Sequence, residues 1–183
     1  MGIMTLPNLF TAVRAVCIPV FVWLVVAQDL VIEGAWLLAA LGATDWVDGF
    51  LARRLNQVSR FGSVFDPVTD RVLFLVAVPV VWLIADIPLT IVVLTLLREI
   101  LVIGIAAKVW FESEVVLAVS KAGKTGAFFL FFAFPMFLGG STEVFYASIL
   151  NVGAWILVLP GLVFGYWSVL FDYRSDNRNF ARG

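Results

Sequence analysis

"DWVDGFLARRLNQVSRFGSVFDPVTD", Asp45 to Asp70, holds four aspartates and three arginines in one short stretch. Asp45 and Asp48 are three residues apart, and Asp66 and Asp70 are four apart. Both spacings put side chains on one face of a helix. Gly49 and Ala52 continue the first face, and Gly62 lies one turn before Asp66 on the second. The Arg53–Arg60 connection between them is short, which predicts two antiparallel neighbouring helices that gather four carboxylates. Glycine and alanine on those faces leave room for a ligand or for close helix contact.

The surroundings of that stretch decide the fold class. The chain has 183 residues, of which 62% are hydrophobic and 14% charged, against about 25% charged in a soluble domain. Its mean hydropathy is +1.04. Continuous apolar runs of about 20 residues read as membrane spans, and their lack of alternation disfavours a β-barrel. The expectation is an all-α integral membrane protein, one domain over residues 1–183 with the motif at 45–70. Six transmembrane helices are expected near Val13–Val26, Val31–Leu51, Phe61–Ile84, Pro88–Trp110, Ala122–Leu138 and Phe145–Phe171. The Leu6–Thr11 lead-in, with Pro7 where a first helical turn tolerates it, is expected as an N-terminal interfacial helix with Arg14 on the headgroup side. The first run is read as a retained span rather than a cleaved leader, because further spans follow it.

Lysine and arginine orient the chain. The stretches after the first, third and fifth spans carry none of the twelve, whereas the N-terminus, the other connections and the tail carry ten, with Arg71 and Arg98 inside spans. By the positive-inside rule both termini are expected in the cytoplasm. The expected location is the cell (inner or plasma) membrane, multi-pass, with the acidic motif facing the cytoplasm. Cys17 is the single cysteine, so no intrachain disulfide forms, and the absence of histidine removes histidine ligands and bases. No nucleic-acid partner is expected.

Four carboxylates in an apolar medium need neutralising, since one charge at mid-span costs about 2.5–3.5 kcal/mol on insertion scales. Arg53, Arg54 and Arg60 can point into the aqueous connection, so divalent cations are the better match. A hard, all-oxygen donor set favours magnesium, manganese or calcium over zinc. Two dications balance four carboxylates and form a known clamp for displacement at phosphorus. Asp45 lies eight residues before Arg53, roughly 12 Å deep at 1.5 Å per residue. That depth suits a substrate with a lipid tail and a phosphate-bearing head. A divalent-cation transporter is the alternative class, but transporters place such acids near the midplane, often within repeated halves, and no repeat is present here.

The pattern Asp45-x2-Asp48-Gly49-x2-Ala52-Arg53-x8-Gly62-x3-Asp66-x3-Asp70 resembles the signature of the CDP-alcohol phosphatidyltransferase family, and the six-span layout extends the resemblance over the whole chain. The resemblance implies transfer of a phosphatidyl group from CDP-diacylglycerol to an alcohol with release of CMP. It implies a homodimer using Mg2+ or Mn2+. It implies Asp45, Asp48 and Asp66 as metal ligands, and Asp70 as a further metal ligand or as the catalytic base that takes the acceptor's hydroxyl proton. Gly49, Ala52 and Arg53 would contact CDP and its phosphates, and Gly62 would serve the same site by keeping the motif helices close.

Pro7-Asn8-Leu9-x4-Arg14, Arg98-Glu99 and Lys124-Thr125 are similar to the branch with glycerol-type acceptors, which comprises phosphatidylglycerophosphate synthases and cardiolipin synthases. The acceptor stays open between glycerol 3-phosphate and phosphatidylglycerol, with an inositol-phosphate-type acceptor as a further alternative. Phosphatidylglycerophosphate synthases carry a second arginine where this chain has Ala106 and a second lysine where it has Gly126. The Leu55–Arg60 run looks more like actinobacterial cardiolipin-synthase-like members. Candidate acceptor-binding cations are Arg98, Lys121, Lys124 and Arg60.

Overall fold

The computed structural model describes residues 6–55, 62–113 and 120–172, and the side chains of residues 12–44, 68–108 and 120–171. Six α-helices follow one another: α1 Leu6–Val22, α2 Val31–Leu55, α3 Gly62–Ile84, α4 Leu89–Ser113, α5 Lys121–Gly140 and α6 Ala147–Trp167. α1 and α6 each run on into a π-helical turn, Trp23–Ala27 and Ser168–Asp172. The described residues contain no strand. The acidic motif falls on the last turns of α2 and the first turns of α3.

The Leu6–Thr11 lead-in is not a separate interfacial helix. It is continuous with the first span, because Pro7 in the opening turn demands no hydrogen bond and no glycine interrupts Asn8 to Val22. The chain then reverses within three residues. Asp29 takes the left-handed conformation (φ 55°), which a short polar side chain tolerates. This lets the Leu30 N–H donate to the Leu24 carbonyl at 3.0 Å.

Among the described residues, helices Leu89–Lys108, Lys121–Gly140 and Ala147–Phe171 are long and apolar enough to cross a membrane, and Ala12–Ala27 and Val31–Thr44 are apolar stretches of the first two helices. Large apolar side chains such as Leu97 and Ile100 on α4 and Ile149 and Ile156 on α6 are exposed. In a bilayer such surfaces meet lipid tails, so burying apolar area does not hold helices together and close packing must.

Among the described residues that packing is most extensive between α5 and α6. A Cβ built on Gly126 would stand 2.6 Å from the Gly165 backbone nitrogen and 2.9 Å from the Gly161 carbonyl oxygen. α5 also touches α2 and α3, and α1 packs on the same two helices. Phe131 of α5 lies 5.2 Å from Phe74 of α3, ring centre to ring centre. A Cβ on Gly42 of α2 would come within 2.7 Å of the same Phe131 ring. The two motif helices are therefore set by α1 and α5, which reach both.

Candidate active site

On α3, Asp70 and Arg71 are consecutive, so their side chains leave the helix about 100° apart. Each turns to a different neighbour. Asp70 accepts from Arg14 of α1 through Oδ1. Arg71 donates to Oε2 of Glu99 on α4. The other oxygen of Glu99 accepts from Arg98, the residue before it. Arg98 also donates its second terminal nitrogen to the Gly123 carbonyl in the first turn of α5, at 3.2 Å. A layer of charged side chains thus runs from α1 through α3 and α4 to α5.

Burial separates the members of that layer. Arg14, Arg98 and Glu99 are almost wholly enclosed, while Asp70 and Arg71 keep 23% and 24% of their side chains exposed. Arg98 lies against α6, where a Cβ on Gly165 would come within 2.9 Å of its Nε. That Nε makes no hydrogen bond among the described residues. The guanidinium fits only because residue 165 has no side chain. The N-cap of α5 is Ser120, whose Oγ accepts from the Gly123 N–H at 3.1 Å and lies 3.0 Å from the Ser168 hydroxyl. Lys121 and Lys124 follow in that first turn and are exposed. Two cations at a helix N-terminus work against its dipole, so helix stability does not account for them.

The layer sits eight residues, roughly 12 Å, into α3 from Gly62, one turn deeper than Asp66. The ends of α2 and α3 that carry the acidic motif and the start of α1 lie at the same end of the bundle, since α1 reverses into α2 and Arg14 meets Asp70. A family model for CDP-alcohol phosphatidyltransferase matches residues 4–167, a span that contains the motif and all of α1 to α6. The chain belongs to the CDP-alcohol phosphatidyltransferase family. It is a membrane transferase of phospholipid synthesis, acting on CDP-linked lipid and an alcohol.

Relatives divide by how much of the chain they share. A Mycobacterium tuberculosis protein named "Putative cardiolipin synthase" is 34% identical over 167 residues, 91% of this chain and 79% of that protein. The cardiolipin synthase (CMP-forming) of Streptomyces coelicolor is 30% identical over 175 residues, 91% of this chain and 80% of its own length. The CDP-diacylglycerol–glycerol-3-phosphate 3-phosphatidyltransferase of Escherichia coli is 43% identical, but over 79 residues, 42% of this chain and 43% of its own.

Asp45, Asp48, Gly49, Ala52 and Arg53 fall within α2, and Gly62 and Asp66 within α3; their side chains lie outside the described residues, and Arg60 lies outside them altogether. Of the four motif aspartates, Asp70 is the one whose side chain is described. Its carboxylate is a hard oxygen donor of the kind magnesium and manganese prefer, it is partly exposed, and its Oδ1 is paired with Arg14. Arg14, expected at the headgroups, is instead buried against it, because a carboxylate this deep in an apolar bundle requires a counter-charge. Arg98 is buried as an intramembrane arginine should be, and its partner is its neighbour Glu99. Arg14, Arg71 and Glu99 are not among the expected site residues. The signal that points to them is their charge inside apolar runs, which marks function by default.

Proposed function

We propose that this chain is a CMP-forming cardiolipin synthase, moving the phosphatidyl group of CDP-diacylglycerol onto a free hydroxyl of phosphatidylglycerol. The observation that carries the acceptor choice is Gly126. The resemblance implies a second lysine at this position for enzymes using glycerol 3-phosphate. Here position 126 is closed against the α6 backbone, with no space even for a methyl group. Phosphatidylglycerol carries one negative charge on its phosphodiester, where glycerol 3-phosphate carries nearly two, so it asks for fewer cations. The cardiolipin-synthase relatives matching nine-tenths of the chain support the same acceptor. Glycerol 3-phosphate is the second reading, favoured by the higher identity of the shorter match.

In this reading Asp45, Asp48 and Asp66 would hold the divalent cations, magnesium or manganese. Bound there, these would supply charge stabilisation to the diphosphate and to the departing CMP. Gly49, Ala52 and Arg53 hold the CDP end, and Gly62 keeps α2 and α3 close. Asp70 takes the proton of the acceptor hydroxyl. The acceptor oxygen forms its bond to the phosphatidyl phosphorus as the bond from that phosphorus to CMP breaks. Arg14 fixes the direction in which the Asp70 carboxylate points. Lys121 and Lys124 receive the acceptor head, with Arg60 at the rim and Arg98 behind Glu99. The lipid chains lie in the bilayer, and the protein works as a homodimer in the cell membrane with site and termini cytoplasmic. The one-sided lysines and arginines support that orientation.

The test is a parallel assay of purified protein in vesicles, with labelled CDP-diacylglycerol, manganese or magnesium, and one acceptor at a time. Phosphatidylglycerol should yield labelled cardiolipin and CMP, and a chelator should stop both. A product formed from glycerol 3-phosphate alone would establish the second reading. No CMP with phosphatidylglycerol, glycerol 3-phosphate or inositol phosphate would remove the enzymatic reading.

A further inference from the structure

The charged layer contains more arginine than its described carboxylates on the α4 side require. Glu99 divides its two oxygens between Arg71 and Arg98, so this trio carries one positive charge in excess. The two arginines are not equivalent. Arg98 is 1% exposed, spends both terminal nitrogens on Glu99 and Gly123, and has its Nε pressed against Gly165. It has no face left for a ligand. Arg71 is 24% exposed and commits one terminal nitrogen, to Glu99. Its remaining N–H groups make no hydrogen bond among the described residues. A guanidinium held at one corner presents its open edge in a defined direction, the arrangement that suits a phosphate.

The position of Arg71 selects which phosphate. Asp70 turns toward α1, whereas Arg71 turns toward α4, whose Arg98 reaches the first turn of α5. That turn carries the exposed Lys121 and Lys124. The CDP contacts proposed above lie on α2. We propose that Arg71 binds the acceptor's phosphate and that Glu99 is a positioning residue, aiming Arg71 while Arg98 clamps Glu99 from behind. The shared ligand chemistry is a phosphate next to a hydroxyl-bearing glycerol, whether a diester or a monoester. This assignment rests on the proposed transferase reading.

The experiment measures CMP release by the full chain in vesicles, varying donor and acceptor separately, for wild type, Arg71→Gln, Arg71→Lys and Glu99→Gln. The acceptor is phosphatidylglycerol, or glycerol 3-phosphate where wild type uses only that. Arg71→Gln should raise the acceptor KM about tenfold or more, as expected for losing a hydrogen bond to a charged group. Its KM for CDP-diacylglycerol and its melting temperature should stay near wild type. Arg71→Lys should fall between the two, and Glu99→Gln should shift the acceptor KM in the same direction with the donor KM held. Should Arg71→Gln fail to fold, Arg71→Lys carries the same readout. An unchanged acceptor KM in the folded Arg71 variants, or equal rises for donor and acceptor, overturns the assignment. Wild type that releases no CMP with any acceptor sinks the transferase reading itself, a separate outcome.

Discussion

Asp70 and Arg71 are adjacent in the chain yet leave α3 about 100° apart, one joined to α1 and the other to α4. The pairing of the four aspartates on two faces follows from their spacing alone, because a three- or four-residue interval on a helix fixes a shared face. The partners of Asp70 and Arg71 do not follow from spacing. Arg14 is 56 residues from Asp70, and Glu99 is 28 from Arg71, and nothing local selects them. If Asp70 takes the acceptor's proton, Asp70→Asn should lower transfer by about 10²–10⁴-fold, the usual range for a lost general base. Labelled CDP-diacylglycerol should still bind the purified variant. Lost binding would show that Asp70 serves the donor or its metal instead of the proton.

The helices themselves are largely legible in the sequence. Apolar runs broken at Gln28–Asp29, Ala85–Pro88 and Gly139–Thr142, and by two charged connections between the second and third and the fourth and fifth runs, predict six elements whose limits lie within a few residues of α1 to α6. The exception is the start of α1, where an amphipathic lead-in reads as its own helix and the structure has one continuous element. How closely two helices approach is not legible, because a glycine in a run can mark a contact or nothing. Gly104 has open space around its missing side chain, whereas Gly126 faces the backbone of α6. Gly126→Ala should therefore destabilise the α5–α6 pair by about 1–3 kcal/mol, the usual cost of overpacking, while Gly104→Ala should not. Thermal unfolding of the two variants in detergent gives the comparison, and equal melting temperatures would mean that α6 can shift to accept a methyl group.

For the molecule as a whole, lysine and arginine counts give the expected orientation of the bundle, and the Arg14–Asp70 and Arg98–Gly123 contacts place the charged layer nearer the end that carries the acidic motif. With Cys17 replaced by serine, a cysteine introduced at Ser141 should react with an impermeant reagent from outside the cell. One introduced at Lys121 should react only in inverted vesicles. The reverse pattern would turn the site to the outer face. Composition and periodicity are sufficient for the all-helical membrane class, the paired carboxylates and the expected orientation, because hydration cost and helix geometry act on each segment separately. Which arginine answers which carboxylate, which arginine keeps an open edge, and why position 126 admits no side chain depend on contacts between segments far apart in the chain. Those contacts exist only once the helices are packed, since a guanidinium in an apolar bundle takes whichever carboxylate the neighbouring helix brings within reach.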